Sequence, residues 1–171
     1  GVNGAGNTTT IKMLSFASVP TSGDILINGD NIKDNSLEIK EILNLSPQET
    51  AIAPNLTVKE NLEFMAGVYE ICDKDKKINE LVELFKLDEV LNKKSKTLSG
   101  GWQRKLSIAI ALINNPKILF LDEPTLGLDV ISRKELWKII ENLKKNTTII
   151  LTTHYMEEAE SLSDRIGIMK S

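Results

Sequence analysis

A chain of 171 residues, 41% hydrophobic and 26% charged, has the length and composition of one globular domain with a core of its own. Its 21 basic and 24 acidic residues leave a net charge of −3, which argues against a nucleic-acid partner and against adhesion to anionic lipid by charge alone. The single cysteine, Cys72, excludes an internal disulfide or a cysteine metal cluster and reads as a buried or chemically bland thiol. No apolar run approaches the ~18 residues of a membrane span and no signal peptide is seen, so the expected compartment is the cytoplasm.

The first stretch, "GVNGAGNTTTIKML", fits the phosphate-loop pattern G-x-x-x-x-G-K-[ST] at Gly1, Gly6 and Thr8, with Asn7 in the lysine slot. Ile11, Leu14 and Phe16 predict a helix over residues 8–18 that begins at this loop. In "DILING", Ile25 and Ile27 alternate with Leu26 before the Asn28-Gly29 turn, which predicts a short hairpin strand. "SLEIKEIL" reads as a brief helix leading into the extended "NLSPQET". Thr57 and Glu60 form a capping box, and Leu62, Met65, Ala66 and Tyr69 mark the buried stripe of the helix behind it. A second helix fits residues 76–86, with Ile78, Leu81, Val82 and Phe85 on one face.

After Pro116 the rhythm changes. "KILFLDE" and "TTIILTT" read as strands buried on both faces, separated by a helix marked by Leu136, Ile139, Ile140 and Leu143. "MEEAESL" then reads as a helix and "RIGIM" as a last strand. This alternation predicts a parallel sheet with crossover helices, interrupted by a helical insertion. A phosphate loop normally follows a strand and nothing precedes Gly1, so the chain is expected to be a fragment.

Chemistry concentrates at two strand ends. Asp122 and Glu123 follow "ILFL", and His154 follows "IILTT". Open parallel sheets bind ligands at the carboxyl ends of their strands, so these side chains should face one crevice with the glycine loop. A second helix start, Ser99-Gly100-Gly101 before the apolar-periodic "WQRKLSIAIAL", offers exposed N–H groups to an anion, or is simply an N-cap serine on an ordinary helix.

Six motifs in order resemble the nucleotide-binding domain of an ATP-binding-cassette (ABC) transporter: "GVNGAGNTT" the Walker A loop, "LSPQE" the Q-loop, and "LSGGW" the signature. "ILFLDE" resembles Walker B, "GLD" the D-loop and "TTH" the switch-histidine motif. Trp102 stands where the family most often has glutamine, with Gln103 beside it. "LDEPTLGLD" and "THYMEEAE" are similar to the exporter branch that pairs with ABC-2-type membrane subunits.

The resemblance implies an α/β P-loop NTPase (RecA-like) core with a mainly parallel sheet and an inserted α-helical subdomain. Residues 1–50 and 114–171 would form the core of a single, partial domain, and about 51–113 the helical subdomain with the signature. It implies ATP and Mg²⁺ as cofactors. Gly1, Asn3, Gly4, Ala5, Gly6, Asn7, Thr8 and Thr9 would cradle the phosphates, and Thr8, Gln48 and Asp122 would serve the metal. Glu123 would polarise the attacking water, His154 would contact the γ-phosphate, and Gln48 would couple the site to the membrane subunit. Ser99, Gly100 and Gly101 would close on ATP held by a partner domain, with Asp129 in the D-loop. The implied partners are a transmembrane permease and a second nucleotide-binding domain, identical or not, with no nucleic acid. The implied location is peripheral, on the cytoplasmic face of the plasma membrane. A soluble ABC ATPase and a nucleotide-binding module without turnover are the alternative functions.

Asn7 departs from the pattern. The family's lysine reaches the β- and γ-phosphates as a point charge, whereas asparagine is short and neutral. Hydrogen bonds to charged groups contribute ~1.5–3 kcal/mol, so its loss is expected to weaken ATP binding roughly 10- to 100-fold and hydrolysis at least as much. Asparagine is also a favoured N-cap, which would start the helix well and preserve the backbone cradle.

Overall fold

The computed structural model describes residues 6–169, so the loop positions Gly1, Asn3, Gly4 and Ala5 lie outside the described residues. Helix α1 (Asn7–Leu14) starts behind Gly6, which caps it in the left-handed region at φ 92°. Asn7 is therefore the first helical residue and not the N-cap, a correction to the local reading of that asparagine. A non-glycine residue at Gly6 would be strained in this conformation. The helix stops at Leu14, short of the expected residue 18, because Phe16 turns the chain at φ 63°. Strands β1 (Leu26–Ile27) and β2 (Asp30–Asn31) pair antiparallel around Asn28 and Gly29, whose φ of 55° and 91° match a type I′ turn. As the alternation requires, Ile27 is buried and Leu26 exposed.

Helix α2 (Ser36–Ile42) runs directly into β3 (Leu43–Ser46). Helix α3 (Val58–Val68) carries both halves of its capping box: the Glu60 N–H donates to Thr57 Oγ1 at 3.1 Å and the Thr57 N–H to Glu60 Oε2 at 2.7 Å. Thr57→Ala should lower global stability by about 1 kcal/mol in denaturant unfolding. The Thr57 N–H holds the Glu60 carboxyl below its ordinary value of 4.5. That contribution is present above pH 4.5 and is lost as pH falls through the depressed folded value. Tyr69 is not in the buried stripe; it caps the end of α3, exposed, and its hydroxyl accepts from Asn44 Nδ2 at 3.3 Å. Cys72 is likewise exposed.

Helices α4 (Lys74–Phe85) and α5 (Gly100–Ala111) complete the helical insertion. Its core is continuous with the sheet: Leu62, Phe85, Leu106 and Ile108 share one apolar cluster with Leu119, Leu121 and Leu136. Phe120, on the opposite face of the sheet, packs with Ile11, Ile27, Ile39 and Leu43. Strand β4 (Ile118–Asp122) is buried on both faces as expected, lying parallel between β3 and β5 (Thr148–Thr152). Helix α6 (Val130–Leu143) crosses from β4 to β5, and α7 (Met156–Leu162) follows.

Two strand expectations are corrected. β5 is half-exposed, with Thr148 and Ile150 open, because its one described neighbour is β4 and its other edge faces a cavity of about 1780 Å³. "RIGIM" forms no strand: residues 165–169 pair with no described strand, and Ile166 and Ile168 stay exposed.

Candidate functional site

The parallel register sets Thr152 beside Asp122 at the carboxyl ends of β4 and β5. The buried Asp122 presents Oδ1 to two hydroxyls, accepting from Thr8 Oγ1 at 3.3 Å and from Thr152 Oγ1 at 2.5 Å. Glu123 leaves the strand at φ 49°, the left-handed region that costs a residue with a Cβ. Its N–H is held there by the Thr152 carbonyl at 3.1 Å and the Thr152 hydroxyl at 3.2 Å. The turned backbone brings Glu123 Oε2 to 2.8 Å from His154 Nδ1. Tyr155 stacks near the His154 ring at 4.2 Å, and the Arg133 guanidinium lies 4.4 Å over Tyr155, so the first turns of α6 brace the loop after β5. Thr8, Asp122, Glu123 and His154, distant in sequence, thus meet as the strand-end argument requires. Asn7 and Thr9 sit in the same first turn of α1, whose N–H groups have no helical acceptor.

A second cluster lies at the start of α5. Ser99 occupies the N-cap position without a side-chain capping bond, which leaves its hydroxyl for another acceptor. A Cβ on Gly101 would come within 3.0 Å of Ser132 Oγ, so glycine there permits the close approach of α5 to α6. Gly100 faces Leu128 in the same junction. Ser132 Oγ donates to Asp129 Oδ2 at 2.6 Å, and Asp129 Oδ1 caps α6 by accepting from the N–H groups of Ile131 and Ser132. These bonds, the Ser132 hydroxyl first, hold the Asp129 carboxyl below its ordinary value. Residues 99–101 and Asp129 therefore adjoin within one chain. Among the described residues, no hydrogen bond joins this cluster to Thr8, Asp122, Glu123 or His154.

Gln48 is exposed beyond β3, and among the described residues its side chain is bonded to neither Thr8 nor Asp122. Its backbone is held instead: the Arg104 guanidinium donates to Pro47 O at 2.7 Å and Gln48 O at 2.5 Å. Burial pushes the Arg104 pKa down, opposed by the charge of Asp122. Sequence reasoning missed Arg104 although a cation within "WQRKLSIAIAL" is a signal, and α5 buries it. It also missed Thr152, which reads as a β-former in "TTIILTT", and Glu158, fully buried and accepting from Thr125 Oγ1 and Trp137 Nε1.

The donor set suits a hard cation. Thr8 and Asp122 bring a hydroxyl and a carboxylate together. Among the described residues there is no group of three His, Cys, Asp or Glu able to hold a metal. A hydroxyl and a carboxylate are oxygen ligands that a hard cation such as Mg²⁺ could take alongside waters.

The family described as ABC transporter matches residues 1–126. Human phospholipid-transporting ATPase ABCA3 is 44% identical over 99% of this chain, which covers 10% of that protein. The probable multidrug ABC transporter ATP-binding protein YbhF of Escherichia coli (strain K12) is 40% identical over 99% of the chain, covering 30% of YbhF. The chain thus spans less than a third of either relative. Among solved structures, an ATP-binding subunit of an ABC transporter superposes with TM-score 0.80 at 30% identity, over 95% of this chain and 69% of that one. A dimeric, post-hydrolysis ATP-binding cassette bound to ADP and Pi gives 0.79 at 26% identity, over 92% of this chain and 73% of that one. The fold is that of a P-loop NTPase, and the chain belongs to the ABC transporter family as a nucleotide-binding domain.

Proposed function

We propose that this chain is the ATP-binding and ATP-hydrolysing cassette of an ABC exporter, driving a separate membrane subunit by ATP-dependent pairing with a second cassette. The observation that carries the reading is the 2.8 Å contact of His154 with Glu123 beside the Thr8–Asp122 pair. The first-turn N–H groups of α1 receive the phosphates, with the helix dipole behind them. Thr8 and Asp122 would hold Mg²⁺, which when bound offsets charge on the phosphate oxygens. Glu123 takes the proton of the attacking water, and its contact with His154 fixes the direction of the carboxylate. With Nδ1 engaged, His154 Nε2 is left to face the γ-phosphate.

Gln48 reports on that phosphate to the membrane subunit. Ser99, Gly100 and Gly101 grip ATP bound to the second cassette, and Asp129 stands at the junction. The helical subdomain of about 51–113 carries the signature in this scheme. Peripheral placement on the cytoplasmic face of the membrane follows from the permease. Relatives named for phospholipid and multidrug transport support an amphipathic substrate.

Asn7 favours a second reading, a module that binds nucleotide and hydrolyses it poorly. Purified full-length protein tests both with one titration. Saturable, Mg²⁺-dependent binding of a fluorescent ATP analogue supports the family of readings, and phosphate release then separates the ATPase from the impaired module. Absence of saturable binding would overturn both.

A further inference from the structure

Thr152 is placed to do what neither Asp122 nor Glu123 can do alone. Its single hydroxyl donates to Asp122 Oδ1 at 2.5 Å and accepts from the Glu123 N–H at 3.2 Å. The same residue's carbonyl takes a share of that N–H at 3.1 Å. One side chain therefore touches the carboxylate proposed for the metal and the backbone of the residue proposed as general base. Both need holding. Asp122 Oδ1 is engaged by two hydroxyls, Thr152 and the longer contact from Thr8, which fixes the carboxylate, and among the described residues Oδ2 accepts no hydrogen bond. Glu123 sits at φ 49°, a conformation that persists in a residue with a Cβ only when its surroundings over-determine it.

We infer that Thr152 is a positioning residue for hydrolysis: its hydroxyl orients Asp122 toward the metal and helps keep Glu123 in its left-handed turn. The inference rests on the proposed ATPase reading. Thr152 touches neither substrate nor metal in this scheme. It acts through the two carboxylates, and valine, equal in shape, removes only the hydroxyl.

The test uses full-length protein as wild type, Thr152→Val and Thr152→Ser. In Thr152→Val, phosphate release at saturating ATP should fall about tenfold with the KM for ATP changed less than about twofold, the scale of one lost bond to a charged group. Thr152→Ser keeps the hydroxyl and should stay within about twofold of wild type in the same assay. A readout independent of turnover is Mn²⁺ affinity for the protein complexed with a non-hydrolysable ATP analogue, followed by electron paramagnetic resonance. That affinity should weaken about fivefold in Thr152→Val and not in Thr152→Ser. Equal Mn²⁺ affinity and turnover in wild type and Thr152→Val would overturn the positioning role while leaving the ATPase reading intact. A wild type that binds neither the analogue nor Mn²⁺ with it would overturn the ATPase reading and this inference together.

Discussion

Glu123→Gln should cut phosphate release by about 100-fold or more while ATP remains bound, since general-base catalysis contributes on the order of 10²- to 10⁴-fold. Glutamine has the size of glutamate and can still meet His154, so the left-handed turn and the 2.8 Å contact have no steric reason to change. What disappears is the capacity to accept the water's proton. ATP trapped without turnover should also prolong association of two cassettes, visible as an ATP-dependent dimer by size-exclusion chromatography. Unchanged phosphate release in this variant would remove Glu123 from the chemistry.

Asn7→Lys should raise ATP turnover tenfold or more and tighten ATP binding roughly 10- to 100-fold. Under the proposed function this substitution acts by restoring a charge near the phosphates. Gly6, at φ 92°, holds the N-cap position of α1, and among the described residues no hydrogen bond engages the Asn7 side-chain amide. Asn7 is the first helical residue and half-buried, a position that accepts lysine's flexible stem. Folding stability should therefore stay within about 0.5 kcal/mol of wild type, the usual range for surface substitutions. A gain in turnover at constant stability places the deficit in the missing cation. Equal turnover in the two proteins would mean that Asn7 is no impairment.

What the sequence made legible was what local chemistry decides. Thr57 and Glu60 form the box their spacing announces, Asn28-Gly29 turns a hairpin, and "ILFLD" is a strand buried on both faces. The meeting of Thr8 with Asp122, and of Glu123 with His154, follows from strand ends in a parallel sheet, which the alternation of elements already implied. Other features depend on neighbours that no local pattern names. β5 has the composition of a buried strand, yet Ile150 is open because that edge has no described partner. "RIGIM" is apolar enough for a strand but pairs with none. Tyr69 keeps helical spacing past the residue where α3 ends. Thr152 and Arg104 were hidden for a different reason: their roles lie in tertiary bonds, to Asp122 and to the Pro47 and Gln48 carbonyls, that their own segments do not foreshadow.

Under the proposed function, Asn7 withholds a charge and Glu123 with its strand-end neighbours forms an otherwise complete hydrolytic site. Single-turnover release of γ-phosphate by full-length Asn7→Lys protein, with and without Glu123→Gln, measures both at once. The expected result is fast release by Asn7→Lys, at least tenfold above wild type, and release near background by the double variant. If the double variant releases phosphate as fast as Asn7→Lys alone, the hydrolytic centre is not the one built at the ends of β4 and β5.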